Sequence, residues 1–362
     1  MIGILGSGSW ATALAKILTD NNLEINWWLR QQSAIDHIKR RKHNQHYLAS
    51  AYFDVSQLHM DCDLEAVINK SKTLLICIPS AYLIPLFQNL PNHIFEGKQI
   101  ISAVKGILPN EKHQLLNEYL AENFSVKPEC YFSLMGPCHA EEVSAEKLSY
   151  LTFSGISKVM TQQVAAHFET WYLNTVVNQD VWGSQYAAVL KNIYAVGAGI
   201  AHGLDYGDNF LSVYIANAAN EMVRFLRKIS EVKSSVQIAV GSQQSAVGSL
   251  QLADCEPPTA DLELPQAPEY ASSVYLGDLL VTCYSLYSRN RTFGNMIGKG
   301  HSVKVAQLEM NMVAEGFPAS KGLYETNQTV GVQIPIAETI YKILWEGLEA
   351  KEGFKDIEDV LK

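Results

Sequence analysis

Through its first half the chain alternates short, β-rich apolar runs with longer amphipathic stretches, beginning with Ile2-Gly3-Ile4-Leu5. Strands are predicted at 2–5, 25–29, 73–78, 99–104, 130–135, 148–153 and 175–177. Such alternation is the pattern of a parallel sheet covered by helices. From about Ser184 it stops, and an alanine-rich helical period takes over through Leu190, Ile193, Val196 and Ile200. The expected organisation is an α/β domain over residues 1–180 followed by a mainly α-helical domain over 181–362. One stretch, 234–270, is rich in Ser, Gln and Pro without a sustained apolar period and is expected to be an exposed, flexible loop.

A length of 362 residues suits two domains. With 28 basic against 37 acidic side chains the net charge is −9, which disfavours nucleic acid or an anionic membrane surface as partner. An anionic ligand must then meet a local cluster of positive groups. The run Lys39-Arg40-Arg41-Lys42 reads as a solvated face. Six cysteines are scattered without a C-x-x-C pair or zinc-ligand spacing, so no metal site is predicted and the thiols suit a reducing, cytoplasmic setting. The N-terminal run reads as a strand rather than a signal peptide, and no apolar stretch approaches the roughly 20 residues of a membrane-spanning helix.

Directly after the first strand, Gly6-Ser7-Gly8-Ser9-Trp10-Ala11 forms a G-x-G-x-x-A turn leading into the helical stretch Ala13, Leu14, Ile17, Leu18. Glycines at Gly6 and Gly8 allow a tight turn and close backbone approach to a pyrophosphate, and the helix N-terminus offers N–H groups to the anion. In that strand-turn-helix context a dinucleotide site of Rossmann type, for NAD or NADP, outweighs a plain connection. The second strand ends in Trp27-Trp28-Leu29-Arg30, without the acid that holds the ribose 2′-hydroxyl in NAD-selective sites. Arg30 suits a 2′-phosphate or the adenine face; its competing reading is an ordinary surface arginine.

Two more strand ends carry chemistry: Val104-Lys105-Gly106 and Gly136-Pro137-Cys138-His139-Ala140. Farther along come Leu190-Lys191-Asn192, Gly277-Asp278-Leu279, Ser288-Arg289-Asn290 and Val313-Ala314-Glu315-Gly316. With the glycine turn, and in this order, these motifs resemble the NAD(P)-dependent glycerol-3-phosphate dehydrogenase family. The resemblance implies a Rossmann domain followed by a helical substrate domain with the active site between them, and reversible reduction of dihydroxyacetone phosphate to sn-glycerol 3-phosphate for phospholipid synthesis. It also implies roles: Lys191 transfers the proton, Lys105 touches cofactor and substrate, and Asp278 completes the catalytic set. Gly136, Cys138, Ser288, Arg289 and Asn290 join those three around the substrate. Ser9, Trp10, Arg30, Lys105, Ala140, Arg289, Val313 and Glu315 match cofactor contacts. A homodimer is compatible with this family.

The chemistry stands beside the resemblance. Ketone reduction needs a hydride donor and a proton for the developing alkoxide, which a lysine supplies when burial or a second cation lowers its pKa. A phosphate needs a fork of donors, which Arg289 beside Ser288 and Asn290 offers. Alone, Lys191 would read as a snorkelling surface lysine and Asp278 as a helix cap. The chain departs from the usual family pattern at Ala11, Cys138, Gln185, Ala216, Asn217 and the glycine-poor approach Ala271–Leu276. Alternatives are a ketopantoate or 3-hydroxyacid reductase of similar plan, and a sensor that binds NAD(P) without turnover.

Overall fold

The computed structural model describes residues 1–244, 268–310 and 312–362. They divide into two compact units, the first holding Met1–Val104 and Gln114–Val181, the second Lys105–His113, 182–244 and Glu269–Lys362.

The first unit is built on an eight-stranded sheet of β1 (Ile2–Leu5), β2 (Ile25–Trp28), β3 (Leu58–Asp61), β4 (Thr73–Ile76), β5 (Gln99–Ser102), β6 (Tyr131–Met135), β7 (Ser149–Ser154) and β8 (Leu173–Asn178), ordered 3-2-1-4-5-6-7-8. Its helices are α1 (Ser9–Asp20), α2 (Gln32–Arg41), α3 (Leu64–Asn69), α4 (Leu83–Phe87), α5 (Leu116–Phe124), α6 (Ala140–Ser144) and α7 (Lys158–Ala166). This is the Rossmann-type α/β fold. Strands β1, β2 and β4 are buried at every position, as central strands covered on both faces require. Two features differ from the expected all-parallel sheet. Strand β3 was not predicted, because Leu-His-Met-Asp at a sheet edge carries one fully buried side chain and no β-branched residue. Strand β7 runs antiparallel to β6 and parallel to β8.

Helix α1 is anchored at its far end: Lys16 Nζ donates to Asp20 Oδ2 at 2.6 Å and to Glu146 Oε1 at 2.9 Å, and Tyr172 OH donates to Asp20 Oδ2 at 2.6 Å. Burial opposes the charge on Lys16, but the two carboxylates hold its pKa above the ordinary value.

The second unit is helical: α8 (Val181–Gly203), α9 (Asp208–Gln244), α10 (Asp278–Tyr284), α11 (Arg289–Gly298), α12 (Val303–Glu309), α13 (Gly316–Val330), α14 (Pro335–Tyr341) and α15 (Ala350–Val360). The loop expected over 234–270 is corrected at its start, where α9 continues to Gln244. Composition over the whole window concealed that no proline occurs before Pro257, and that Val232, Val236 and Val240 recur every fourth residue. The remainder of that expectation, 245–267, lies outside the described residues. Helix α8 is the unit's buried axis, and α11 lies against it through glycines. A Cβ on Gly294 would stand 2.0 Å from the Val196 carbonyl oxygen, and one on Gly199 2.1 Å from that of Arg291, so only hydrogen fits at these crossings.

Candidate active site

In the first unit, β1 ends at Gly6, whose φ of +130° lies outside the range favoured by side-chain-bearing residues. A Cβ there would meet the Cys77 carbonyl oxygen at 2.5 Å, one residue past β4. The turn thus sits where β1 parts its two neighbours, β2 and β4, the switch point at which open α/β sheets take ligands. Gly8 caps α1 without a side chain, and a Cβ there would meet nothing within 4 Å. That open, side-chain-free backbone fits a pyrophosphate. Ser9 and Trp10 form the first turn of α1. Helix α6, which begins at Ala140, packs on α1. Arg30 is exposed beyond β2.

A second positive-φ glycine, Gly136 at +133°, ends β6, and a Cβ there would stand 2.9 Å from the Tyr150 carbonyl oxygen. The adjacent Cys138 thiol donates to that same oxygen at 3.2 Å. Cys62, Cys77, Cys130, Cys138 and Cys283 are free thiols; Cys255 lies outside the described residues.

In the second unit, Lys191 on α8 and Asp278 at the start of α10 form a buried ion pair, with Nζ bonded to Oδ1. Lys191 is 4% exposed and Asp278 1%. The partner that the structure gives Lys191 here is a carboxylate. A π-helical turn, Ser273–Gly277, leads directly into α10. It occupies the approach in which the chain departs from the family's glycine-rich pattern, and such turns often mark functional sites. The Thr282 hydroxyl donates to the Asp278 main-chain carbonyl at 2.6 Å. Among the described residues Asp278 Oδ2 is buried with no hydrogen-bond partner, an arrangement costly enough to point to a ligand donor. Burial pushes the nearby Cys283 thiol up to about 12, so it stays protonated and unreactive.

Three predicted residues come together at the head of α11. Ser288 Oγ accepts from the Arg291 N–H as the helix cap. Arg289 is exposed and donates one N–H to the Val313 carbonyl at 3.3 Å, leaving most of its five donors uncommitted by that bond. Asn290 is buried; it donates to Asn192 Oδ1 at 2.9 Å and accepts from the Gly316 N–H at 2.9 Å. Sequence reasoning missed Asn192 and Gly316 as members of this cluster. Their only signals were adjacency to Lys191 and to Glu315, which is itself the residue preceding α13. Lys105 opens the segment 105–113, which docks on α13 through Ile107 under Gly322 and through His113, 3.3 Å from Glu325. Among the described residues there is no group of His, Cys, Asp and Glu fit to hold a metal, and no helix long and apolar enough to cross a membrane.

Comparison with known proteins gives a consistent result. Models for the NAD-dependent glycerol-3-phosphate dehydrogenase N-terminus and C-terminus match residues 1–160 and residues 180–255 with 261–355, respectively. The chain is 33% identical over 357 residues to glycerol-3-phosphate dehydrogenase (NAD(P)+) of Enterococcus faecalis, covering 98% of this chain and 94% of that protein. It is 31% identical over 360 residues to the protein of that name from Streptococcus agalactiae, covering 98% and 95%. The fold matches a crystal structure of glycerol-3-phosphate dehydrogenase from Coxiella burnetii with a TM-score of 0.80 and 24% identity, over 99% of this chain and 98% of that one.

Proposed function

This chain belongs to the NAD(P)-dependent glycerol-3-phosphate dehydrogenase family, and from that premise we propose that it interconverts dihydroxyacetone phosphate and sn-glycerol 3-phosphate. The observation that carries the reading is the buried Lys191–Asp278 pair, whose second carboxylate oxygen has no hydrogen-bond partner among the described residues.

In this proposal the turn Gly6 to Ser9, with Trp10 and Ala140, holds the nicotinamide nucleotide, and Arg30 at the end of β2 admits the 2′-phosphate of NADP as well as NAD. When bound, that nucleotide supplies the hydride. Lys191 Nζ gives the proton that the developing alkoxide needs and takes it back in alcohol oxidation. Asp278 Oδ1 holds the ammonium in place, while Oδ2 accepts a hydrogen bond from a substrate hydroxyl. Arg289 is the main phosphate donor, with Ser288 beside it. Asn290 fixes the head of α11 through Asn192 and Gly316, with one amide N–H left for the phosphate by the bonds it makes. Lys105, Val313 and Glu315 complete the contacts by their match to the family's motifs, as do Gly136 and Cys138.

Purified protein mixed with dihydroxyacetone phosphate and NADH or NADPH is expected to consume the reduced nucleotide, followed at its absorbance band. No consumption with either nucleotide, or faster consumption with ketopantoate, rejects the assignment. Supply of the glycerol phosphate backbone of phospholipids, cytoplasmic residence and homodimeric assembly belong to the same proposal. Loss of phospholipid synthesis on gene deletion, cell fractionation and light scattering test them.

A further inference from the structure

The three carbonyls of the glycine turn are each tied down from behind. Gly6 O accepts from Trp27 Nε1 at 2.7 Å, Ser7 O from Asn44 Nδ2 at 3.1 Å, and Gly8 O from both the N–H and the hydroxyl of Thr12 at 2.9 Å. Asn44 Nδ2 makes a second bond, 2.9 Å to Thr12 Oγ1, so one amide links the turn to the first helix that follows it. Asn44 is itself held, for its Oδ1 accepts from the His46 N–H at 3.1 Å. The side chains of Trp27, Thr12 and Asn44 are buried, Asn44 at 4% exposed, so these bonds are not replaced by water.

A peptide unit is planar and trans, so fixing its carbonyl fixes its N–H on the opposite side. Bonds to Gly6 O, Ser7 O and Gly8 O therefore orient the N–H groups of Ser7, Gly8 and Ser9. Those three are the donors that a pyrophosphate at this turn would meet. Trp27 reaches the turn from β2, and Thr12 lies within α1. Asn44 alone comes from the irregular segment after α2, and it is the group that holds the central peptide, between the two glycines.

We infer that Asn44 is a positioning residue for nucleotide binding, which sets the Ser7–Gly8 peptide for the pyrophosphate through its bonds to Ser7 O and Thr12 Oγ1. The inference rests on the dinucleotide-binding reading of this turn. It assigns Asn44 no contact with the reacting atoms. Its loss is therefore felt in cofactor affinity and not in the chemical step.

The test uses the full-length protein, with NADH and adenosine as calorimetric probes. Adenosine lacks the pyrophosphate and reports the nucleoside end alone. Asn44→Ala is expected to weaken NADH by roughly tenfold, the scale of one or two lost hydrogen bonds. Adenosine affinity, kcat at saturating NADH, and KM for dihydroxyacetone phosphate are expected to stay within about twofold. Thr12→Val, which removes the linking hydroxyl at nearly constant volume, should reproduce the NADH defect, and Thr12→Ser should restore affinity; this pair decides the matter if Asn44→Ala does not fold. Unchanged NADH affinity in both Asn44→Ala and Thr12→Val, or an equal loss for adenosine and NADH, overturns the inference. Failure of the wild-type protein to bind NADH or NADPH is a separate result, which rejects the dinucleotide reading and the inference with it.

Discussion

At the scale of single residues the proposed chemistry turns on two buried charges. An ammonium and a carboxylate with side chains 5% and 1% exposed are stable only as a pair, and removing one partner typically costs about 3–5 kcal/mol. Lys191→Ala is therefore expected both to lower the melting temperature and, measured below that temperature, to reduce kcat by about 10²–10⁴ while leaving NADH affinity nearly intact. A folded variant that keeps the wild-type kcat would move the proton-transfer role to Lys105. Arg289 is different, being exposed and bonded to the Val313 carbonyl at the surface, so replacing it does little to the fold. Arg289→Lys should raise KM for dihydroxyacetone phosphate by roughly tenfold or more, because an ammonium lacks the planar fork, with little change for unphosphorylated dihydroxyacetone. Equal effects on both substrates would show that Arg289 does not meet the phosphate. What the sequence offered here was residue type in company: Lys191 and Asp278, which the fold joins in an ion pair, were picked out because motifs flank them. Asn192 was not, since an asparagine on an alanine-rich helix gives no sign of a partner 98 residues away. Asn44 was hidden for the same reason, its partners being a backbone carbonyl and Thr12, 32 positions back.

At the scale of elements, periodicity located most of the buried strands but not their edges or direction. Edge strand β3 lacks the apolar run of β1 and β4, and nothing in the composition of β7 distinguishes an antiparallel neighbour from a parallel one. The close crossing of α8 and α11 was also unread, although both carry G-x-x-x-G, at Gly199–Gly203 and Gly294–Gly298. Gly294→Ala must push α11 off Val196, and overpacking of this kind costs typically 1–3 kcal/mol. Lower thermal stability together with a raised KM for dihydroxyacetone phosphate is expected, because α11 carries Ser288 to Asn290. A stable variant with unaltered KM would mean that the helices part without moving the site.

Another element-level device is Glu221 on α9, which is 1% exposed and accepts from the Ile336 and Ala337 N–H groups at 3.0 and 2.9 Å and lies 3.1 Å from Tyr194 OH. Burial raises its pKa from 4.5 to about 7, partly offset by these bonds and by Arg224. The folded state then holds a proton that the unfolded chain releases between those two values. The stability it contributes is complete below pH 4.5 and lost as pH rises through about 7, by an amount of about 3 kcal/mol. Denaturant titrations should show wild type losing that stability relative to Glu221→Gln between pH 4.5 and 8. A difference that stays constant with pH would place Glu221 as an ordinary ionised cap.

At the scale of the whole molecule, the residues proposed for proton transfer and phosphate binding lie in the second unit, and the glycine turn lies in the first. That separation allows each ligand's stabilising effect to be removed independently. A ligand at about 100 times its Kd adds about 2.7 kcal/mol to the state it binds, and for units of this size that corresponds to roughly 5–10 °C in melting temperature. Gly8→Asp is the informative change in the first unit: the backbone has φ of −77° and open space around a Cβ, so an aspartate fits without strain. Its carboxylate would stand among the N–H groups offered to the pyrophosphate and repel it. Gly8→Asp should therefore melt at the wild-type temperature when free, lose the shift produced by NADH, and keep the shift produced by sn-glycerol 3-phosphate. Asp278→Asn should show the reverse, since the charge that holds Lys191 is gone while the glycine turn is untouched. Calorimetric melting of the two variants with each ligand gives four readings. If Gly8→Asp retained its NADH shift, the turn would not be the pyrophosphate site, whatever the outcome for Asp278→Asn.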